Sequence, residues 1–154
     1  WHIKAIHPEG KVIDVKAFDK EGNIYDVKAL QDSDQSSLLD VKAFIGDSNQ
    51  SPVKILLNND KYAPVKAIGE DGTIYDIKAL ETDGSKLDIK GIKRSGNLVH
   101  IKAINTKGEY YGVKAISPSG HLNDVKGVKM VKEDLETSIN GVEVYAHIKA
   151  IPQK

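Results

Sequence analysis

The 154-residue sequence contains no cysteine. That excludes a disulfide framework, a thiolate metal site and a cysteine nucleophile. Arginine occurs once, at Arg94, against 21 lysines, and aromatic residues make up only 6%. There is no net charge, because 22 basic and 22 acidic residues cancel, and this excludes a strongly basic nucleic-acid binder and an acidic tail. No apolar run approaches the roughly 18 residues of a membrane span. A phosphate loop and a dinucleotide fingerprint are also missing. The first residue is Trp1 rather than methionine. That predicts a processed or excised piece: a secreted or cell-surface protein whose signal is removed, or a domain of a larger protein.

What the sequence does contain is a repeat. The core Asp14-Val15-Lys16-Ala17-Phe18 recurs, with variation, around Lys4, Lys28, Lys42, Lys54, Lys66, Lys78, Lys90, Lys102, Lys114, Lys126 and Lys149. Nine of the eleven intervals between these lysines are twelve residues; the others are fourteen (Lys28 to Lys42) and twenty-three (Lys126 to Lys149). Val or Ile always precedes the lysine. Ala follows it nine times, Gly twice and Ile once, at Ile55. The position two before the lysine is Asp in six copies.

Glycine closes most repeats, at Gly10, Gly22, Gly72, Gly84, Gly96, Gly108 and Gly120. Tetrapeptides such as His7-Pro8-Glu9-Gly10 suit a type I turn followed by a left-handed glycine, the loop of a tight hairpin. Each copy therefore reads as one β-strand plus one turn. The fold class predicted is all-β: a single domain over residues 1–154, built as a twelve-stranded antiparallel meander. Residues 31–37 and 129–146 are its irregular segments, the second read as an extended hairpin with Glu133 to Asn140 as its loop.

Pairing around Asp19–Gly22 sets Lys16 opposite Asp26 and Asp14 opposite Lys28, a cross-strand ladder. A parity conflict follows. The hairpins closing at His7/Lys11 and Asp19/Asn23 need opposite edges of one strand, yet Lys11 and Asp19 are both odd-numbered and use the same edge. One β-bulge per strand near the Lys–Ala step resolves it and favours a closed or strongly curved barrel. The alternative is a three-sheet β-prism or trefoil-like fold, which the irregular intervals, not falling every four repeats, weigh against.

The remaining signals are sparse. Asp32-Ser33-Asp34 and Asp47-Ser48-Asn49 hold clustered oxygens but continue into no calcium loop. Histidines His2, His100 and His147 occupy the aspartate position of the repeat, which explains them better than metal binding. No cofactor or metal is predicted. The acidic residues Glu133, Asp134, Glu136 and Glu143 are the only candidates for an enzyme, and nothing marks a catalytic set.

Where the strand's own aspartate is replaced, at Pro52, Pro64 and Gly112, the lysines Lys54, Lys66 and Lys114 are expected to lose their partner. With Tyr62, Tyr110 and Tyr111 near strand beginnings, they form the candidate ligand site. Aromatic rings offer platforms to sugar faces and lysines attract acidic groups. The function predicted is a non-catalytic carbohydrate-binding module with an anionic polysaccharide as partner. A structural or adhesive spacer is the alternative, and an enzyme using the 133–143 hairpin the third reading.

Asp14-Val15-Lys16-Ala17, Asp26-Val27-Lys28-Ala29 and Asp40-Val41-Lys42-Ala43 resemble short-repeat domains of secreted Bacteroidota proteins, over nearly the whole chain. Some of those accompany polysaccharide-degrading enzymes. The resemblance implies an extracellular accessory module and assigns no site residue.

Overall fold

Alternation of a small or branched apolar residue with a polar one makes a half-buried strand, and each repeat supplies such a stretch. A computed structural model describes residues 1–31, 38–46, 49–56, 62–129 and 138–152. Its strands are β1 (His2–Ile6), β2 (Val12–Phe18), β3 (Ile24–Leu30), β4 (Leu39–Phe44), β5 (Gln50–Leu56), β6 (Ala63–Ile68) and β7 (Ile74–Leu80). They continue as β8 (Lys86–Ser95), β9 (Leu98–Ile104), β10 (Tyr110–Ile116), β11 (Leu122–Val128), β12 (Ser138–Ile139) and β13 (Val142–Pro152). All pairings are antiparallel, in one sheet whose hydrogen bonds close into a ring. One sheet replaces the three-sheet alternative.

In all twelve copies the residue before the lysine and the residue after it are buried, while the lysine lies half-exposed on the outer face. The core is therefore mostly valine, isoleucine and alanine. Burying each Val or Ile side chain is worth about 1.5–3 kcal/mol, and the alanines let facing strands approach closely.

The turns follow the sequence reading. Gly10 N–H donates to His7 O at 2.8 Å, and His7 N–H to Lys11 O at 2.8 Å. Gly10 has φ of 100°, and the six other repeat glycines named above are also in the positive range. A side chain there would strain the turn.

The parity conflict is real, but its solution is not a bulge in every strand. Pairing runs without interruption through the Lys–Ala step, as in Ile3↔Ala115, Lys4↔Lys114 and Ala5↔Val113. Among the described residues the register shifts only between Gly91 and Lys93 in β8 and between Val144 and Ala146 in β13. Instead, both hairpin neighbours share one edge. The first half of β2 pairs with β1 (Lys4↔Asp14) and its second half with β3 (Lys16↔Asp26), while β7 takes the opposite edge from Asp14 to Phe18. Half-length overlap lets one edge serve two partners, so no extra residue is needed.

The same arrangement recurs. His2↔Lys28 closes β1, β2 and β3 into a triad, each strand pairing half with each of the other two. The other triads are β4, β5 and β13; β6, β7 and β8; and β9, β10 and β11. Each pair of triads is then joined once by an antiparallel pair centred on two motif lysines or on the strand around them. These joins are β1–β10, β2–β7, β3–β4, β5–β6, β8–β9 and β11–β13. Four three-strand corners linked by six edges have the connectivity of a tetrahedron. Among the described residues each of the twelve repeat strands has partners on both sides, so none of them is an open sheet edge.

The irregular segments take their places in this plan. The long interval before Lys149 lets β13 return to complete the second triad. The hairpin loop expected over Glu133 to Asn140 is instead a two-residue turn at Asn140–Gly141, between Ile139 and Val142. Asn140 has φ of 51° and Gly141 of 85°, the type I′ turn that Asn-Gly favours. The side-chain amide of Asn140 donates to Gly69 O at 2.8 Å, pinning this hairpin to the β6–β7 turn. Asp32 and Asp34, Asp47 and Ser48, and Glu133, Asp134 and Glu136 lie outside the described residues.

Candidate functional site

Each triad sets six outward residues around its axis: three motif lysines alternating with the three residues that stand two before a motif lysine. In the first triad these are Lys4 facing Asp14, Lys16 facing Asp26 and Lys28 facing His2. Lys16 donates to Asp26 at 2.6 Å, Lys66 to Asp76 at 2.5 Å, and Lys4, Lys78, Lys114 and Lys149 donate to Asp14, Asp88, Asp124 and Asp40. The hydrogen bonds from Lys4, Lys16 and Lys78 hold the carboxyls of Asp14, Asp26 and Asp88 below the usual aspartate range. A depression of about 270 Å³ opens on the first axis, lined by His2, Lys4, Asp14, Lys16 and Asp26. Its aspartates are already engaged by lysine.

Histidine replaces aspartate at three of these places. Lys54 Nζ lies 2.6 Å from His147 Nδ1, and Lys126 Nζ lies 2.9 Å from His100 Nδ1. Burial, with the charges of Lys102 and Lys114, lowers the Lys126 pKa, while Asp124 opposes that shift.

At three lysines the facing residue can neither accept a proton nor carry charge. Lys42 faces Pro52, Lys90 faces Pro64 and Lys102 faces Gly112. Lys90 and Lys102 are also direct cross-strand partners on β8 and β9. Two like charges opposite one another oppose pairing, and here no carboxylate among the described residues bonds to either. Pro64 belongs to β6, flanking β8, and Gly112 to β10, flanking β9. Two residues before each stands a tyrosine, Tyr62 and Tyr110. Their hydroxyls meet at 3.1 Å, joining the two flanks of the lysine pair. This bond raises the Tyr110 pKa. Tyr110 remains 42% exposed.

Residues 1–151 match the sequence profile of one family. The chain belongs to DUF7486, a family of unknown function. No curated protein and no solved structure is similar to it. The DUF7486 match runs through all twelve copies, so the family is defined over the whole closed network.

The sequence reading of the site needs two corrections. Lys54, Lys66 and Lys114 do not lose their partners, because each lysine is served by the next strand of its triad rather than by its own. Lys66 pairs with Asp76, Lys114 with Asp124, and Lys54 contacts His147. The missing aspartates on β5, β6 and β10 deprive Lys42, Lys90 and Lys102 instead. Tyr111 is no platform either. Adjacent strand residues face opposite sides, so with Tyr110 outward Tyr111 points into the core at 4% exposure. Its ring packs edge-on against His7 at 4.9 Å, and its hydroxyl faces Glu81 at 3.5 Å. Tyr62 and Tyr110 do come together, around two lysines that sequence reasoning passed over. Part of the signal was present: three copies carry tyrosine two residues before the aspartate position, at Tyr62, Tyr110 and Tyr145, and in the first two that position is Pro64 or Gly112 while in the third it is His147.

Among the described residues no group of three His, Asp or Glu side chains could hold a metal ion, and no helix is long and apolar enough to cross a membrane. A second cavity, about 330 Å³ beside the β7–β8 and β9–β10 turns, mixes Lys11, Lys86 and Lys107 with Glu81 and Glu109 in its lining.

Proposed function

We propose that this chain is a non-catalytic module that binds an acidic polysaccharide through the β8–β9 edge. The observation that carries the reading is the Lys90–Lys102 pair, two adjacent ammonium groups to which no carboxylate among the described residues bonds, between tyrosines whose hydroxyls meet. Cross-strand neighbours lie about 4.5–5.5 Å apart, so both lysines can reach one carboxylate or sulfate ester, or two on neighbouring sugars. The tyrosine rings offer a face to the sugar between. The likeness of the repeats to secreted Bacteroidota domains supports an extracellular or cell-surface setting within a larger protein. A structural spacer is the competing reading, favoured by the closed network, which leaves the repeat strands no edge for recruiting another strand.

Affinity electrophoresis in polygalacturonate and chondroitin sulfate at low salt, with a neutral glucan as control, tests this. Retardation by the acidic polymers, clearly weakened in Lys90→Gln/Lys102→Gln and suppressed by salt, is the expected result. Unretarded wild-type protein in every acidic polymer would leave the spacer.

A further inference from the structure

We infer that the domain carries a second acidic-glycan site on the opposite edge, Lys28 and Lys42 of β3 and β4, and therefore cross-links two polysaccharide chains. This rests on the reading above and extends it from one site to two.

The six edges differ in how their lysines are satisfied. Every edge presents two motif lysines, and each lysine faces a residue of its own triad. On β1–β10 and β2–β7 both lysines are paired with aspartate, as Lys4–Asp14 with Lys114–Asp124 and Lys16–Asp26 with Lys78–Asp88. On β5–β6 and β11–β13 one lysine bonds to aspartate and the other contacts histidine. On the last two edges neither lysine bonds to a carboxylate among the described residues. These are β8–β9 and β3–β4, where Lys28 faces His2 and Lys42 faces Pro52.

The two bare edges share no triad. β3–β4 joins the first and second triads, and β8–β9 joins the third and fourth. In a tetrahedron, edges sharing no corner lie on opposite sides. Each also has an aromatic residue at hand: Lys28 Nζ stands 5.5 Å from the centroid of the Phe44 ring, as Tyr62 and Tyr110 flank the other pair. A chain of this length folds to a body about 30–40 Å across. A short oligosaccharide cannot touch both edges, so the sites fill independently, and a long polymer becomes linked to its neighbours.

Titration calorimetry with a defined acidic hexasaccharide, galacturonate or sulfated, gives the stoichiometry. Turbidity with the corresponding long polymer reads cross-linking. Two equivalents and turbidity are expected for wild type. Lys28→Gln/Lys42→Gln and Lys90→Gln/Lys102→Gln should each bind one equivalent without turbidity, and the fourfold variant none. The charge-retaining Lys28→Arg/Lys42→Arg should keep both properties, and circular dichroism checks the fold of each. One equivalent in wild type, with Lys28→Gln/Lys42→Gln unchanged, overturns the second site and leaves the first intact. Loss of all binding in Lys28→Gln/Lys42→Gln alone moves the single site to β3–β4 and overturns both proposals. Wild type that binds no acidic sugar overturns both as well.

Discussion

Ile55 and Gly127 occupy one volume: a Cβ on Gly127 would overlap the δ1 carbon of Ile55. A Cβ on Gly91 would likewise meet Val99 Cγ1 at 2.9 Å and Ile55 Cδ1 at 3.6 Å. The copy with isoleucine after its lysine and the two copies with glycine are thus one packing event, with the three residues drawn from three triads. Gly127→Ala alone should lower stability by about 1–3 kcal/mol through overpacking. Ile55→Ala alone should cost about 2–5 kcal/mol by opening a cavity. Ile55→Ala with Gly127→Ala returns alanine to the two places that overlap and should recover part of that loss, whereas Gly91→Ala would still meet Val99. Urea unfolding measures it, and strictly additive losses would contradict a shared volume.

Acid should loosen the outer ladder. Asp14, Asp26 and Asp88 have carboxyls lowered by lysine hydrogen bonds. Their stabilising contribution is therefore complete above the unfolded aspartate pKa of about 3.9 and disappears as pH falls through that value and the lower folded one. The urea midpoint should hold steady from neutrality to about pH 5 and decline below pH 4. Asp26→Asn should flatten that decline, since Lys16 then has no titrating partner.

Tyr62 should control the ionisation of Tyr110. With the hydroxyl contact in place, Tyr110 titrates above the ordinary value of about 10. In Tyr62→Phe its ring resonances should titrate at lower pH when followed by NMR. An unchanged curve would mean that the two hydroxyls do not meet in solution.

Supplying the missing aspartates should convert a binding edge into a paired one. A Cβ on Gly112 would lie in ordinary contact, 4.0 Å from Lys102 Nζ and 3.8 Å from Lys114 Cε, so the site accepts a side chain. Gly112→Asp with Pro64→Asp should raise stability by about 0.2–1 kcal/mol per new ion pair. The same variant should weaken retardation in acidic polymers about tenfold, as the loss of two exposed charge contacts implies. Unaltered retardation in a folded variant would separate the ligand from these lysines.

Local chemistry was legible in the sequence, and long-range closure was not. Strand positions, the glycine turns and the Lys16–Asp26 contact all follow from one hairpin, and they stand as expected. The partner expected for Asp14 was Lys28, which that same hairpin would align. Instead β1 enters between them, so Asp14 meets Lys4 and Lys28 meets His2. Nothing within two neighbouring copies encodes that intrusion, because it depends on a third strand. The even repeat length carried the one global clue, since it forces successive turns onto the same edge. It identifies the conflict and leaves the choice between a bulge and half-length overlap to packing. For the site, the substitution at Pro64 or Gly112 is visible in sequence, whereas the lysine it exposes is fixed only by the closed register.

The corner made by β4, β5 and β13 has a consequence for how such a molecule can vary. Lys149 and Asp40 meet across 109 positions of chain, so this corner stays incomplete until the last repeat arrives. Solenoids gain or lose modules freely because each module touches only its neighbours. Here one additional copy would have no corner to join, and deletion of β7 would strip β2 of its partner along one edge and open the corner that β7 shares with β6 and β8. Change that keeps this network closed is thereby confined to substitution within the twelve strands and to the length of the connecting loops.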